Sequence, residues 1–384
     1  MCEEDEIRPH IIIDNGSGYM KAGLCGEEGP RSVFPSIVGC PKHQKYKEFT
    51  LYGENKEFYI GTDAEANRGI LNITYPIEHG VINNLDHMEK IWGYIFTNEL
   101  RVAPEEHNVM ITEFSRKFGN NRNKIAEIMF ETFNVPGLYM INPAVLTLYS
   151  AGKLTGFSLD LGDGITQFLP IFDGYSLIFT DFYNFGGRDL TKYFVSMLFD
   201  YGHRFYKTNE WEIIKHMKEK ACYVALDYED ELKSYEPFNY ELPDGNHIII
   251  KDQRISVPEA IFKPFLIKTG EESFQNYNIP KTCCDLIQKY DEDLRKDLYN
   301  SIILSGGNSM FNGLPERLTK EIKALAPESM KEEVNVIASC ERKFNTWFGG
   351  SILSSISTFE SCWITKTEYE EYGATIVRRK CLFN

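Results

Sequence analysis

Ile11-Ile12-Ile13-Asp14-Asn15-Gly16-Ser17-Gly18 runs into the short segment Tyr19–Leu24, and near mid-chain Phe157-Ser158-Leu159-Asp160-Leu161-Gly162-Asp163-Gly164 runs into Ile165–Phe172. In both places an apolar run enters a turn of the form Asp-x-Gly-x-Gly and leaves as a second strand, which is a hairpin pattern. Two such hairpins nearly half a chain apart, each followed by helical segments, imply an internal duplication. The expected fold is α/β: two related domains, each holding a mixed sheet, across a common cleft.

The turns also suggest chemistry. Glycine permits positive φ and leaves no Cβ in the way, so successive N–H groups can line one concavity and hold an anion. Asp14 and Asp160 accept hydrogen bonds only. Each would repel a phosphate unless a metal ion or water lay between. Lys21 can supply the compensating positive charge. Ser305-Gly306-Gly307, after the apolar run Ile302–Leu304, forms a third anion-facing turn at a helix N-terminus. For one Asp-x-Gly-x-Gly alone, an ordinary hairpin turn is the better reading; two copies and the third turn reverse that preference. Gly16–Lys21 begins like a dinucleotide fingerprint but opens a strand instead of a helix. No GxxxxGK[ST] motif occurs.

Around these turns, apolar spacing predicts helices over Leu85–Leu100 and Lys124–Phe133, and another from Asn142 as N-cap and Pro143 as N1, stopped by Gly152. Further helices are expected over Arg188–His203, Glu210–Val224, Pro258–Phe262 and Pro315–Ala324, with a buried one over Trp347–Phe359. The charged, aromatic segment Lys42–Tyr59 reads as a loop between strands.

The 384 residues suit two to three domains. With 41 Lys+Arg against 56 Asp+Glu, the net charge of −15 argues against nucleic acid as the main partner. No run of 18 apolar residues occurs, so no membrane span is expected. Met1–Glu6 lacks the basic and apolar parts of a signal peptide. The nine scattered cysteines form no CxxC pair, which favours reduced thiols and no zinc site. Cys283-Cys284 reads as buried packing, and Glu3–Glu6 as a solvated tail. The sequons at Asn15 and Asn72 read as chance. Cys381-Leu382-Phe383-Asn384 is a poor prenylation box, since Asn is an unfavourable last residue.

Beyond these patterns, whole segments resemble the actin family: Asp14–Gly18 with Lys21, Phe34–Gly39, Tyr75–Gly80, Asn98–Val102 through His107, Met129–Asn134, Gly187–Thr191, Lys218–Lys220 through Asp227, Leu304–Gly307, Glu341–Lys343 and Val377–Cys381. They occur in the family's order over essentially the whole chain. The resemblance implies an actin-like ATPase fold, two-lobed, with duplicated ribonuclease-H-like domains around a nucleotide cleft. It places 1–35, 76–150 and 345–384 in the outer-lobe base and 36–75 in a small outer subdomain. It places 151–185 and 275–344 in the inner-lobe base and 186–274 in a small inner subdomain.

The resemblance further implies ATP or ADP with Mg2+ (or Ca2+). Gly16, Ser17, Gly18, Lys21, Gly162, Asp163 and Gly164 would surround the phosphates, and Asp14 and Asp160 would hold the ion through water. Gly187, Lys218, Glu219, Gly306, Gly307, Met310, Phe311 and Lys343 would line the ribose and base. Phe311 stands where the family usually has tyrosine; stacking survives that change.

Two departures bear on catalysis. Where the family orients its attacking water with glutamine, this chain has Pro143, and where the family has a histidine after the second turn, it has Gln167. Each loss is expected to slow hydrolysis by roughly 10²-fold or more, with Asn142 as a candidate compensating neighbour. The loop from His43 to Tyr59 and the segment Phe265–Pro280 are longer than the family's, and Lys233–Asn239 sits in a shortened loop. Tyr46, Phe49, Leu51 and Tyr52 could still supply the loop's apolar contact.

The expected function is therefore an ATP-binding actin-like cytoskeletal subunit, in a specialised filament or a fixed multiprotein assembly, with weak or absent hydrolysis. The alternative is a conventional actin that cycles between monomer and filament. A sugar kinase or ATP-driven chaperone shares the turns but lacks the other segments. Expected partners are other actin-like subunits or a multiprotein assembly. Actin-binding proteins would dock at a groove near Tyr149, Gly152, Leu353, Ile356 and Phe359; core packing is the competing reading of those residues. The expected location is cytoplasmic and cytoskeletal, with cilium and nucleus as alternatives.

Overall fold

The β-branched run Ile11–Ile13 forms the centre of a sheet. A computed structural model describes residues 8–42, 57–114, 121–205, 210–267 and 277–381. The tail Glu3–Glu6, most of the His43–Tyr59 loop with Tyr46, Phe49, Leu51 and Tyr52, the middle of Phe265–Pro280, and the last three residues of the prenylation-like terminus lie outside them. The chain divides into two compact units: Met1–Leu154 with Gly174–Ser176 and Phe344–Asn384, and Thr155–Asp173 with Leu177–Lys343.

In the first unit, strand Ile11–Asn15 lies between two partners. It pairs antiparallel with Tyr19–Leu24 and parallel with Val109–Thr112. The sheet continues through Gly137–Ile141 to Ile364–Thr365 on one side and Ser32–Pro35 on the other. Ile11, Ile12, Ile13, Val109, Met110 and Ile111 have no exposed surface, as a central parallel pair covered on both faces requires. Helix Pro143–Ser150 begins as its sequence dictates: Asn142 Oδ1 accepts from Ala144 N at 2.9 Å, Pro143 is N1, and Gly152 follows the end at φ +66°. It packs on helix Asn345–Ser354 so closely that a Cβ on Gly349 would stand 1.8 Å from Leu146 O.

In the second unit, strand Gly156–Leu161 repeats the arrangement. It pairs antiparallel with Thr166–Phe172 and parallel with Ile302–Ser305, and the sheet extends to Asp181–Tyr183 and Val336–Ile337. The duplication read from the turns is thus a duplication of strand order: hairpin, then a parallel neighbour beside its first strand.

Several helices depart from the expected spans. Leu85–Leu100 is α-helical only to Tyr94, and Ile95–Leu100 is a π turn ending at Arg101, φ +56°. Asn121–Glu127 likewise passes into a π turn, Ile128–Thr132. Apolar periodicity at 3.6 residues cannot register such widening. The helix expected at Pro258–Phe262 is instead Gln253–Glu259, with Pro258 inside it. Proline cannot donate to the carbonyl four residues back, and that carbonyl, Arg254 O, accepts from Tyr223 N at 3.0 Å. The buried helix at Trp347 stops at Ser354 and gives way to a 3-10 segment, Ser357–Cys362. Lys233–Asn239 is no simple loop: it joins the end of helix Tyr228–Ser234 to strand Phe238–Glu241. Cys283 and Cys284 are buried, as expected. Among the described residues no helix is long and apolar enough to cross a membrane.

Candidate functional site

Each unit carries one acidic Gly-rich turn, built by the same device. In the first, Asp14 ends the central strand and is 5% exposed. Its Oδ1 accepts from Thr112 Oγ1 at 2.9 Å and its Oδ2 from Lys21 Nζ at 2.8 Å. Lys21 is the residue opposite Asp14 in the antiparallel register. Asn15 anchors the turn through Asn15 N to Thr112 Oγ1 (2.8 Å) and Trp92 Nε1 to Asn15 Oδ1 (3.1 Å). Ser36 donates to Gly16 O at 2.6 Å, and Gly80 N donates to Ser17 Oγ at 3.0 Å. A Cβ on Gly16 would stand 2.5 Å from Tyr19 O, so the turn needs glycine there.

In the second unit, Asp160 sits between Gln167 and Ser305 in register, and Ser305 Oγ donates to Asp160 Oδ1 at 2.7 Å. A hydroxyl on the neighbouring parallel strand therefore orients each aspartate. The turn closes with Gly162 N to Ile165 O at 2.9 Å. Its carbonyls at Gly162 and Asp163 accept from Gly187 N and Arg188 N, each at 3.0 Å. These bonds dock the N-terminus of helix Gly187–Asp200 on the turn, and Arg188 also pairs with the Asp163 carboxylate at 3.2 Å. Lys218 is 4% exposed and donates to Gly187 O at 2.8 Å and Thr191 Oγ1 at 2.9 Å. Burial lowers its pKa below the ordinary lysine value, against the opposing pull of Asp163 and Glu219.

The third turn follows Ser305. Gly306 has φ +87°, and a Cβ there would stand 2.4 Å from Leu161 O. Gly307 is exposed, with no described residue within 4 Å of where a Cβ would point. The turn leads into a single 3-10 turn, Gly307–Met310, and not directly into a helix N-terminus; the helix expected over Pro315–Ala324 is formed, as Leu314–Leu325. Met310 is half-buried and Phe311 buried. Gly164 is buried, Gly18 half-buried, and Glu219 and Lys343 exposed.

The two positions of departure are plain. Pro143 is half-buried at N1. Asn142, the candidate compensator, has its Oδ1 committed to the cap. Gln167 is 4% exposed, and its Oε1 is buried without a hydrogen-bond partner among the described residues. Of the groove residues, Leu353 and Phe359 are buried, Phe359 edge-on to Tyr139 and Trp363, so they belong to the core. Ile356 is 40% exposed and Tyr149 half-buried.

The actin family model matches residues 5–382. The chain belongs to the actin family. Its α/β actin-like fold is the one expected from the hairpins and segments, and the family is generally cytoskeletal. Family members generally bind a nucleotide and a divalent cation. The residues of each unit, taken separately, fit such a group in kind: an oriented, acceptor-only carboxylate suits a hydrated cation. Sequence reasoning missed Thr112 and Arg188, and the bond from Ser305 to Asp160, which hold the turns. None carries a local signal, because each comes from a strand or segment distant in sequence.

Proposed function

We propose that this actin-family chain is an ATP-binding cytoskeletal subunit, working in a specialised filament or a fixed multiprotein assembly, with weak or absent ATP hydrolysis. Gly16, Ser17, Gly18 and Lys21 of the first unit, and Gly162, Asp163 and Gly164 of the second, would bind phosphate oxygens. Asp14 and Asp160 would hold Mg2+ or Ca2+ through water, and the bound cation would neutralise phosphate charge. Gly187, Lys218, Glu219, Gly306, Gly307, Met310, Phe311 and Lys343 would take the nucleoside. The division into small subdomains at 36–75 and 186–274 belongs to the same proposal. The separate apolar cluster of Ile37, Tyr59, Ala64 and Leu71 supports the first of these.

The observation that carries the reading is the pair of replaced positions. Pro143 has no amide to orient water. Gln167 stands opposite Asp160 and cannot accept a proton as imidazole does. Single-turnover phosphate release, run beside pelleting with Mg-ATP, tests it. The expected result is retained, unhydrolysed ATP. Phosphate release at the rate of a conventional actin, coupled to pelleting, would support the cycling alternative instead. Partners would be other actin-like subunits or members of the assembly, and the exposed Ile356 and half-buried Tyr149 give a partner helix its apolar contact.

A further inference from the structure

We infer that Arg342 is a positioning residue for the nucleoside end of the ligand, tying the Gly306–Phe311 loop to the Ser339–Lys343 segment so that the two are set as one piece. Arg342 is only 9% exposed. Its Nη2 and Nε donate to Ser309 O at 2.9 and 3.2 Å, and its Nη1 donates to Ser339 O at 2.9 Å. Its own carbonyl accepts from Gly306 N at 3.3 Å. The same loop is fixed at its base, where Ser305 Oγ bonds Asp160 and where a Cβ on Gly306 would stand 2.4 Å from Leu161 O.

One guanidinium thus closes a ring. It runs from the second turn through Ser305 and Gly306 to Ser309, and from there to the segment that presents Lys343. Two of the residues assigned here to the nucleoside, Phe311 and Lys343, lie just beyond atoms that Arg342 holds. Only a planar fork serves two carbonyls in different directions; a lysine ammonium reaches one of them well.

The inference rests on the proposed nucleotide reading. Its test is calorimetric titration of the full chain, wild type, Arg342→Gln and Arg342→Lys, with Mg-ATP and with Mg-tripolyphosphate. The expected result is about a tenfold loss of ATP affinity in Arg342→Gln, with tripolyphosphate affinity kept within about twofold and Arg342→Lys between. Equal loss for both ligands, or no loss, overturns the role of Arg342 while leaving the nucleotide reading standing. A wild type that takes up neither ligand overturns both. Should the variants fail to fold, hydrogen–deuterium exchange on the wild type decides. Peptides covering 305–311 and 339–343 are expected to gain protection together with Mg-ATP but not with Mg-tripolyphosphate. Protection at 305–311 alone overturns the inference.

Discussion

Lys21 stands directly across the first hairpin from Asp14, with its Nζ 2.8 Å from Asp14 Oδ2. In the second hairpin the corresponding neighbour of Asp160 is the neutral Gln167. The duplicated units therefore orient their aspartates alike, through Thr112 and Ser305, but place different groups beside them. Removing the Lys21 ammonium would leave a nearly buried carboxylate without its cation. Lys21→Met is expected to cost about 3 kcal/mol in urea unfolding, and millimolar Mg-ATP is expected to recover part of that loss by bringing a cation to Asp14. A variant as stable as wild type would show that the pair contributes nothing net.

Adjacent glycines of the third turn are expected to respond oppositely. Gly306→Ala forces a Cβ against Leu161 O at a backbone angle that only glycine adopts easily, so thermal unfolding should show a loss of about 1–3 kcal/mol. Gly307→Ala meets no neighbour among the described residues and should leave stability within about 0.5 kcal/mol. If the nucleotide approaches this turn, the same alanine weakens ATP binding. Unchanged ATP affinity in Gly307→Ala would move the ligand away from the turn.

The strand–turn–strand cores were legible because a strand needs only a short apolar run and the turn needs glycine, both local requirements. Asn142-Pro143 was legible for the same reason. The partners of the aspartates were not: Thr112 and Ser305 reach them only once parallel strands align, and parallel pairing joins segments far apart in sequence. Pro258 misled because its helix is completed by Tyr223 N, an amide from another segment. Groove and core readings of Phe359 stay open in sequence because an apolar side chain near a helix end looks the same whether a partner or Trp363 covers it.

The C-terminal region gives a pH test. Glu368 caps Thr365 and bonds Lys380 Nζ at 2.8 Å, and the Lys380 bond, ahead of the Thr365 backbone bond, holds its carboxyl below the usual glutamate value of 4.5. A depressed folded pKa means that the unfolded chain binds more protons in this range. The contribution is present above pH 4.5 and is lost as pH falls through the lower folded value. Melting temperature is expected to drop in that acid window for wild type, and less steeply for Glu368→Gln. Parallel acid limbs for the two proteins would show that the Lys380 contact is not formed in solution.

Restoring the missing groups is the most direct test of the proposed lack of hydrolysis. Pro143→Gln puts an amide at the first helical position, where Asn142 still caps the helix through Ala144 N. Losing proline's rigidity there should cost no more than about 1 kcal/mol. Gln167→His replaces a buried amide whose Oε1 has no partner among the described residues and supplies a proton acceptor opposite Asp160. Each single variant is expected to raise single-turnover phosphate release by roughly 10²-fold, and the pair by more. The double variant also separates two causes of a silent wild type. A rate gain with unchanged ATP affinity assigns the block to these two positions; no gain, with ATP bound, assigns it elsewhere in the turns.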